Sequence, residues 1–172
     1  MNIFILRGFL MKKLFSVLAV LFVLGTTSVF AKTGLGVQFN GNISGGNFLP
    51  GASVTFKLNK VPCVFAADFA ANNGAMSAGL TADWWIANPV IEGTWHYYYG
   101  VGVGAGVTIV NNNYGGFAIG PRAVLGTNVF LINNFLELYA QGAWQPTLAI
   151  TSAGTGFSWA CFPVALGFRF WF

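Results

Sequence analysis

An all-β fold, a transmembrane eight-stranded antiparallel up-and-down β-barrel preceded by a cleavable signal peptide, is what this sequence predicts. Three observations predict it. The chain is 55% hydrophobic, only 7% charged and rich in Phe and Gly, which is too apolar for an ordinary soluble domain. Past the N-terminus no apolar run reaches the roughly 18 residues that a transmembrane helix needs. The apolar residues instead alternate with polar or small ones, and a period of two is the signature of a strand with two unlike faces. The last stretch, FPVALGFRFWF, shows it most clearly. Phe162, Val164, Leu166, Phe168, Phe170 and Phe172 form one face, and Pro163, Ala165, Gly167, Arg169 and Trp171 form the other. About nine to eleven tilted residues suffice for a strand to cross a bilayer.

Residues 1–31 read as the signal peptide. Met11-Lys12-Lys13 is a basic n-region, Leu14 to Leu24 the apolar core, and Val29-Phe30-Ala31 a cleavage site of the small-residue kind. Residues 1–10 read as a misassigned upstream extension. The barrel domain is then 32–172. It keeps five cations, Lys32, Lys57, Lys60, Arg122 and Arg169, against four anions, Asp68, Asp83, Glu92 and Glu137. A net charge near zero with no basic face excludes nucleic acid as a partner.

Eight strands follow in order. They run from about Gly34 to Asn42, Gly51 to Leu58, Cys63 to Ala71, Ala78 to Ala87, Thr94 to Ile109, Phe117 to Thr127, Phe135 to Gln145 and Phe162 to Phe172. Asn59-Lys60-Val61-Pro62, Asn88-Pro89 and Asn133-Asn134 make tight turns at one end. Longer loops at 42–50, 72–77, 110–116 and 151–156 lie at the other. An even strand number puts both chain ends on the turn side. Trp84, Trp95, Tyr97 and Trp171 fall near that end, where an interfacial aromatic girdle belongs. The two cysteines, Cys63 and Cys161, sit on strands that are not neighbours, so both are expected as free thiols on the lipid side.

Lys57, Asp68, Asp83, Arg122, Glu137 and Arg169 share the inward parity, and His96 joins them. Charges inside a narrow barrel must pair or stay hydrated. The expected result is a salt-bridged plug, with His96 hydrogen-bonded to Glu137 or Tyr98. A narrow polar path set by the same charges is the alternative. Inward glycines of the fifth strand either give room to Arg122 and the aromatics opposite or leave space for water. GVGVGAG at 100–106 lacks the following helix of a dinucleotide site. One histidine and singly scattered acids assemble no catalytic group, so the chain reads as a non-enzyme with no cofactor and no metal. Pro121, Pro146 and Pro163 fall in the loop-side halves of the last three strands. Each removes a ladder donor, and together they mark a candidate lateral seam for a small apolar ligand.

The alternating terminal segment with Leu166, Phe168, Phe170 and Phe172 resembles the C-terminal signature of bacterial outer-membrane β-barrels. The chain from Lys32 to Phe172 resembles the small eight-stranded members of that class: the OmpA membrane domain, OmpX and OmpW. The resemblance implies a bacterial outer-membrane location, export through the periplasm, contact with outer-membrane lipid, recognition by the barrel-assembly machinery and a monomer. It implies a structural protein with a plugged lumen. The alternatives are an OmpW-like conduit for small apolar or ionic solutes and a surface adhesin acting through its loops. Short, uncharged loops speak against the adhesin. A soluble lipocalin-type barrel is the structural rival, and it would turn the same charges outward into water.

Overall fold

The computed structural model describes residues 32–44, 47–72, 75–111, 113–152 and 154–172; the expected signal peptide, 1–31, lies outside the described residues. All regular structure in these residues is β. The strands are β1 (Thr33–Ser44), β2 (Asn47–Leu58), β3 (Cys63–Asn72), β4 (Ala75–Ala87), β5 (Val90–Glu92), β6 (Trp95–Val110), β7 (Asn113–Leu131), β8 (Leu136–Trp144), β9 (Thr147–Thr151), β10 (Gly154–Ser158) and β11 (Cys161–Trp171).

These strands close an eight-stave antiparallel barrel. Around the ring run β1, β2, β3, β4, β6, β7, β8 and β11, and β11 pairs back onto β1. β9 continues the line of β8 past Gln145-Pro146, and β10 leads into β11 through Trp159-Ala160. β5 is a short strand in the turn before β6, where the sequence pattern predicts turn alone. Closure gives each of the eight staves two neighbours, and only the short β5 and β10 pair on one side alone. The start of β1 and the end of β11 meet at one rim, where Thr33 and Phe172 exchange two backbone hydrogen bonds at 3.0 Å. This terminal end also carries the short turns. One of them is built on Ile132, Asn133 and Asn134, with φ of 51°, 53° and 64°.

Strand parity follows the alternation in the sequence. Phe39, Leu80, Leu125 and Leu166 are 63–73% exposed on the outer wall. Lys57, Asp83, Arg122, Glu137 and Arg169 are 0–8% exposed, facing inward. A lipocalin-type barrel has the opposite arrangement, so that rival falls.

Three expectations need correction. The staves extend further toward the loops than expected: β1 and β2 pair as far as Ser44 and Asn47, and β7 begins at Asn113. Gly, Asn and Ser read as loop, yet a tight hairpin keeps its ladder almost to its tip. Trp171 is not part of an outer girdle. It is 7% exposed and its indole Nε1 donates to Glu137 at 2.9 Å, whereas Trp84, Trp95 and Tyr97 are 41–51% exposed on the wall. Cys161 is not on the lipid side. It shares the parity of Arg169, and its Sγ lies 3.2 Å from Asn42 Oδ1. Both cysteines are free and buried.

Candidate functional site

The lumen gathers the ionisable residues, and strand register decides which of them meet. Arg169 on β11 stands directly opposite Glu137 on β8. Arg169 Nη1 donates to Glu137 Oε2 at 2.8 Å, and the two side chains are 1% and 0% exposed. Asn128 Nδ2 adds a bond to Glu137 Oε1 at 2.9 Å, so the carboxylate accepts three hydrogen bonds with that of Trp171. Arg169 also lies 4.1 Å from the centre of the Tyr139 ring and donates through Nε to Thr55 at 3.3 Å. Lys57 has no ion pair among the described residues. Its Nζ sits 3.3 Å above the centre of the Trp85 ring, which stacks on Tyr98 at 3.9 Å. A cation over an indole face is held by the ring quadrupole. Together these side chains fill the terminal half of the barrel.

The second pair lies toward the loops. Gly102 of β6 stands between Asp83 of β4 and Arg122 of β7 at the same level. A Cβ on Gly102 would collide with the Asp83 carboxylate, so glycine there lets the pair reach across a whole stave. Arg122 Nε donates to Asp83 Oδ1 at 2.9 Å and its Nη1 to Gln145 Oε1 at 2.6 Å. Gln141 links the two levels, donating to Asp83 at 3.2 Å and accepting from the Tyr98 hydroxyl at 3.1 Å. Of the expectation that these glycines give room to Arg122 and the aromatics opposite, Gly102 fits the part about Arg122, and the space it leaves is taken by Asp83 and not by an aromatic. Further out, Gly104 and Gly106 line a cavity instead.

Asp68 and His96 stand apart from both pairs. Asp68 Oδ1 accepts from Asn40 and Ser53. His96 meets neither Glu137 nor Tyr98. Its Nδ1 lies 3.3 Å from the Asn88 carbonyl oxygen, and its ring meets Phe130 edge-on at 5.5 Å. His96 lies beside the turn, and the short β5 segment brings Asn88 over it. No group of three or more metal-ligating side chains occurs among the described residues.

No family model matches the chain, and no curated protein does. Among solved structures it is similar to neisserial surface protein A, with a TM-score of 0.47 and 14% identity over 83% of this chain and 97% of that one. It is also similar to a major outer membrane protein from Thermus thermophilus, with a TM-score of 0.39 and 13% identity over 83% of this chain and all of that one. At these identities the likeness is one of barrel shape alone. The functional reading rests on the lumen and the wall of this chain.

The three prolines converge on one stave. The β7–β8 ladder runs to Ala123 opposite Trp144, and the β7–β9 ladder resumes at Ile119 opposite Leu148. The shared register sets Pro121 opposite Pro146, two residues without an N–H facing each other across the gap. On the other side of the stave, the β8–β11 ladder is interrupted past Val164 opposite Gly142, where Pro163 would face Ala143, before the Gln145 N–H donates to the Cys161 carbonyl at 2.9 Å. A pocket of about 160 Å³ opens at the gap between Pro121, Arg122, Ala123, Trp144 and Pro146. Replacing Pro121 and Pro146 together by valine restores two cross-strand donors. At about 0.5–1.5 kcal/mol net per bond, less the lost proline rigidity, the unfolding free energy in detergent is expected to rise by about 1 kcal/mol. An unchanged or lower midpoint would show that the gap is not a weakness.

Sequence reasoning misses Asn128, 1% exposed, because the sixth strand runs past the Thr127 boundary that the pattern suggests. It also misses Gln145, which lies at the kink before Pro146 and carries the inward parity of Glu137, Tyr139 and Gln141. Alternation continued one residue past Thr127 finds Asn128, and alternation carried to the last residue of the expected seventh strand finds Gln145.

Proposed function

We propose that this chain is an integral outer-membrane barrel protein, structural in role, whose lumen is closed by its own side chains in the terminal half. The observation that carries the reading is the fully enclosed Arg169–Glu137 pair, its guanidinium 5.7 Å from the ring of Trp85, which stacks on Tyr98 and holds Lys57. The membrane part of the reading is supported by where the charges are. Every exposed charge among the described residues, Lys32, Lys60 and Glu92, lies at the terminal rim, and the wall between the rims is an apolar band. Monomeric soluble proteins rarely expose contiguous apolar patches beyond about 300–600 Å². A closed barrel with an apolar exterior satisfies its backbone in lipid. No helix among the described residues is long and apolar enough to cross a membrane.

Leu166, Phe170 and Phe172 are 37–65% exposed on the outer face, as a segment offered to the barrel-assembly machinery requires. Expression of the full chain in a Gram-negative host tests the reading. The mature protein is expected in the outer-membrane fraction, migrating faster in gels before heating than after. Recovery in the soluble periplasmic fraction would overturn it. Deleting Phe172 is expected to lower the amount assembled several-fold while leaving export intact.

A second reading has its own observation. The Pro121–Pro146 gap and its pocket make one stave the weakest part of the wall, and a small apolar ligand could enter there from the lipid side. A brominated hydrocarbon that quenches Trp144 fluorescence, with loss of quenching in the double valine variant, is the result this reading expects.

A further inference from the structure

The loop-end half of the lumen is a cavity of about 580 Å³. Small-molecule sites commonly span roughly 300–1,000 Å³. Gln38, Asn40, Ser77, Thr81, Gln141 and Gln145 supply amides and hydroxyls to its lining, and Asp68 and Arg122 supply its charges. These two charges are not equivalent. Arg122 is neutralised by Asp83 through Nε at 2.9 Å and Nη2 at 3.4 Å, and its Nη1 is taken by Gln145. Asp68 forms no ion pair among the described residues. Its Oδ1 takes the bonds from Asn40 and Ser53, and its Oδ2 has no hydrogen bond among the described residues. The remaining lumen cations are engaged elsewhere, Lys57 on Trp85 and Arg169 on Glu137.

Asp68 lies four residues nearer the loops than Val64, the cross-strand partner of Asp83. The loop segments 42–50, 72–77, 110–116 and 151–158 contain no charged residue. At the loop end the unpaired charge is the Asp68 carboxylate, with the unpaired Lys57 held on Trp85 in the terminal half, and a carboxylate between low-dielectric walls concentrates cations at the mouth. We infer that this cavity binds a small organic cation, an amine or a guanidinium, with Asp68 as its anchor. An ammonium brings three donors and no acceptor. The free Asp68 oxygen takes one, and the surrounding hydroxyl and amide oxygens take the others. A site with one free carboxylate is a poor one for a divalent metal, which asks for several hard oxygen ligands, and no group of three or more ligating side chains occurs among the described residues. The inference is independent of the plug, because the cavity and its charge are the same whether or not the floor leaks.

The test is a titration of the refolded mature protein in detergent, followed by NMR of backbone amides. The probes are putrescine, 1,4-butanediol and succinate: a cation, a neutral and an anion of similar length. Putrescine is expected to give saturable shifts at Asp68, Ser77 and Thr81, and the other two none. Magnesium chloride at equal concentration is expected not to displace it. Asp68→Asn is expected to weaken putrescine at least about tenfold, since a charge-assisted bond is lost. Ser77→Lys places a tethered ammonium two residues from Gly79, the cross-strand partner of Asp68, and is expected to abolish the shifts. If Asp68→Asn does not fold, judged by its gel shift, the Ser77→Lys variant and the probe comparison decide. Absence of saturable shifts, equal binding of butanediol, displacement by magnesium, or unaltered binding in either folded variant would overturn the inference.

Discussion

Arg169→Ala is expected to lower the unfolding free energy of the refolded barrel by about 3–5 kcal/mol, the cost typical of removing one partner from a buried ion pair. The magnitude follows from what is left behind. Glu137 is 0% exposed, and without Arg169 it keeps only the neutral donors of Asn128 and Trp171. A buried carboxylate with no counter-charge is strongly penalised. The Tyr139 ring also loses the guanidinium packed 4.1 Å from its centre. Glu137→Leu alone is expected to cost a similar amount, because it strands Arg169 instead. The double variant Arg169→Met with Glu137→Leu is expected to be more stable than either single one, since both charges leave together. Urea unfolding midpoints in one detergent measure all three. An unchanged midpoint for Arg169→Ala would remove the pair from the account of stability.

Trp85→Ala is expected to cost about 3–5 kcal/mol, the usual range for deleting a large buried aromatic. Trp85 is 4% exposed and forms the small buried cluster of the lumen with Val64 and Tyr98. The substitution removes the Tyr98 stack at 3.9 Å and the face on which Lys57 rests. Lys57 is 8% exposed and has no carboxylate partner among the described residues, so the lost cation–π contact has no ready replacement. Trp85→Phe separates the two contributions. The indole Nε1 has no hydrogen-bond partner among the described residues, so phenylalanine forfeits volume but no hydrogen bond seen there. It is expected to keep more than half of the stability that alanine loses. Trp85→Ala also removes one of the two buried indoles of the floor, and it is expected to let small ions leak where the parent does not. If phenylalanine and alanine prove equally damaging, ring stacking is not what holds this layer.

The barrel is legible because a membrane wall imposes one rule on every stave. Outward residues must be apolar and inward ones small or polar, and a period of two exposes that rule even in short segments. Where the rule relaxes, the pattern gives out. At the loop ends Gly, Asn and Ser replace the apolar face, and the strands run on without a signal. At Gln145-Pro146 and Trp159-Ala160 the alternation is broken by kinks, so β9 and β10 look like loop in the sequence.

Parity alone places the lumen charges on the right face, but their pairing depends on register between distant segments. Arg169 and Glu137 meet because β8 and β11 align them. Arg122 reaches Asp83 because Gly102 leaves the intervening stave bare, a signal present in the sequence as an inward glycine on the long fifth strand. His96 has neighbours other than those expected because the turn that carries Asn88 folds back over it, and nothing in a period of two reports such a turn. Cys161 carries the parity of Arg169, and that alternation alone places it inside.

Planar-bilayer recording of the refolded mature chain tests the central claim most directly, using only samples that show the gel shift of a closed barrel. The account predicts silence from the parent protein, with ion leakage appearing when Trp85 is truncated to alanine. Steady unitary currents from the parent, with a selectivity that changes when Arg122 or Glu137 is neutralised, would contradict the plug and return the lumen to a narrow pore.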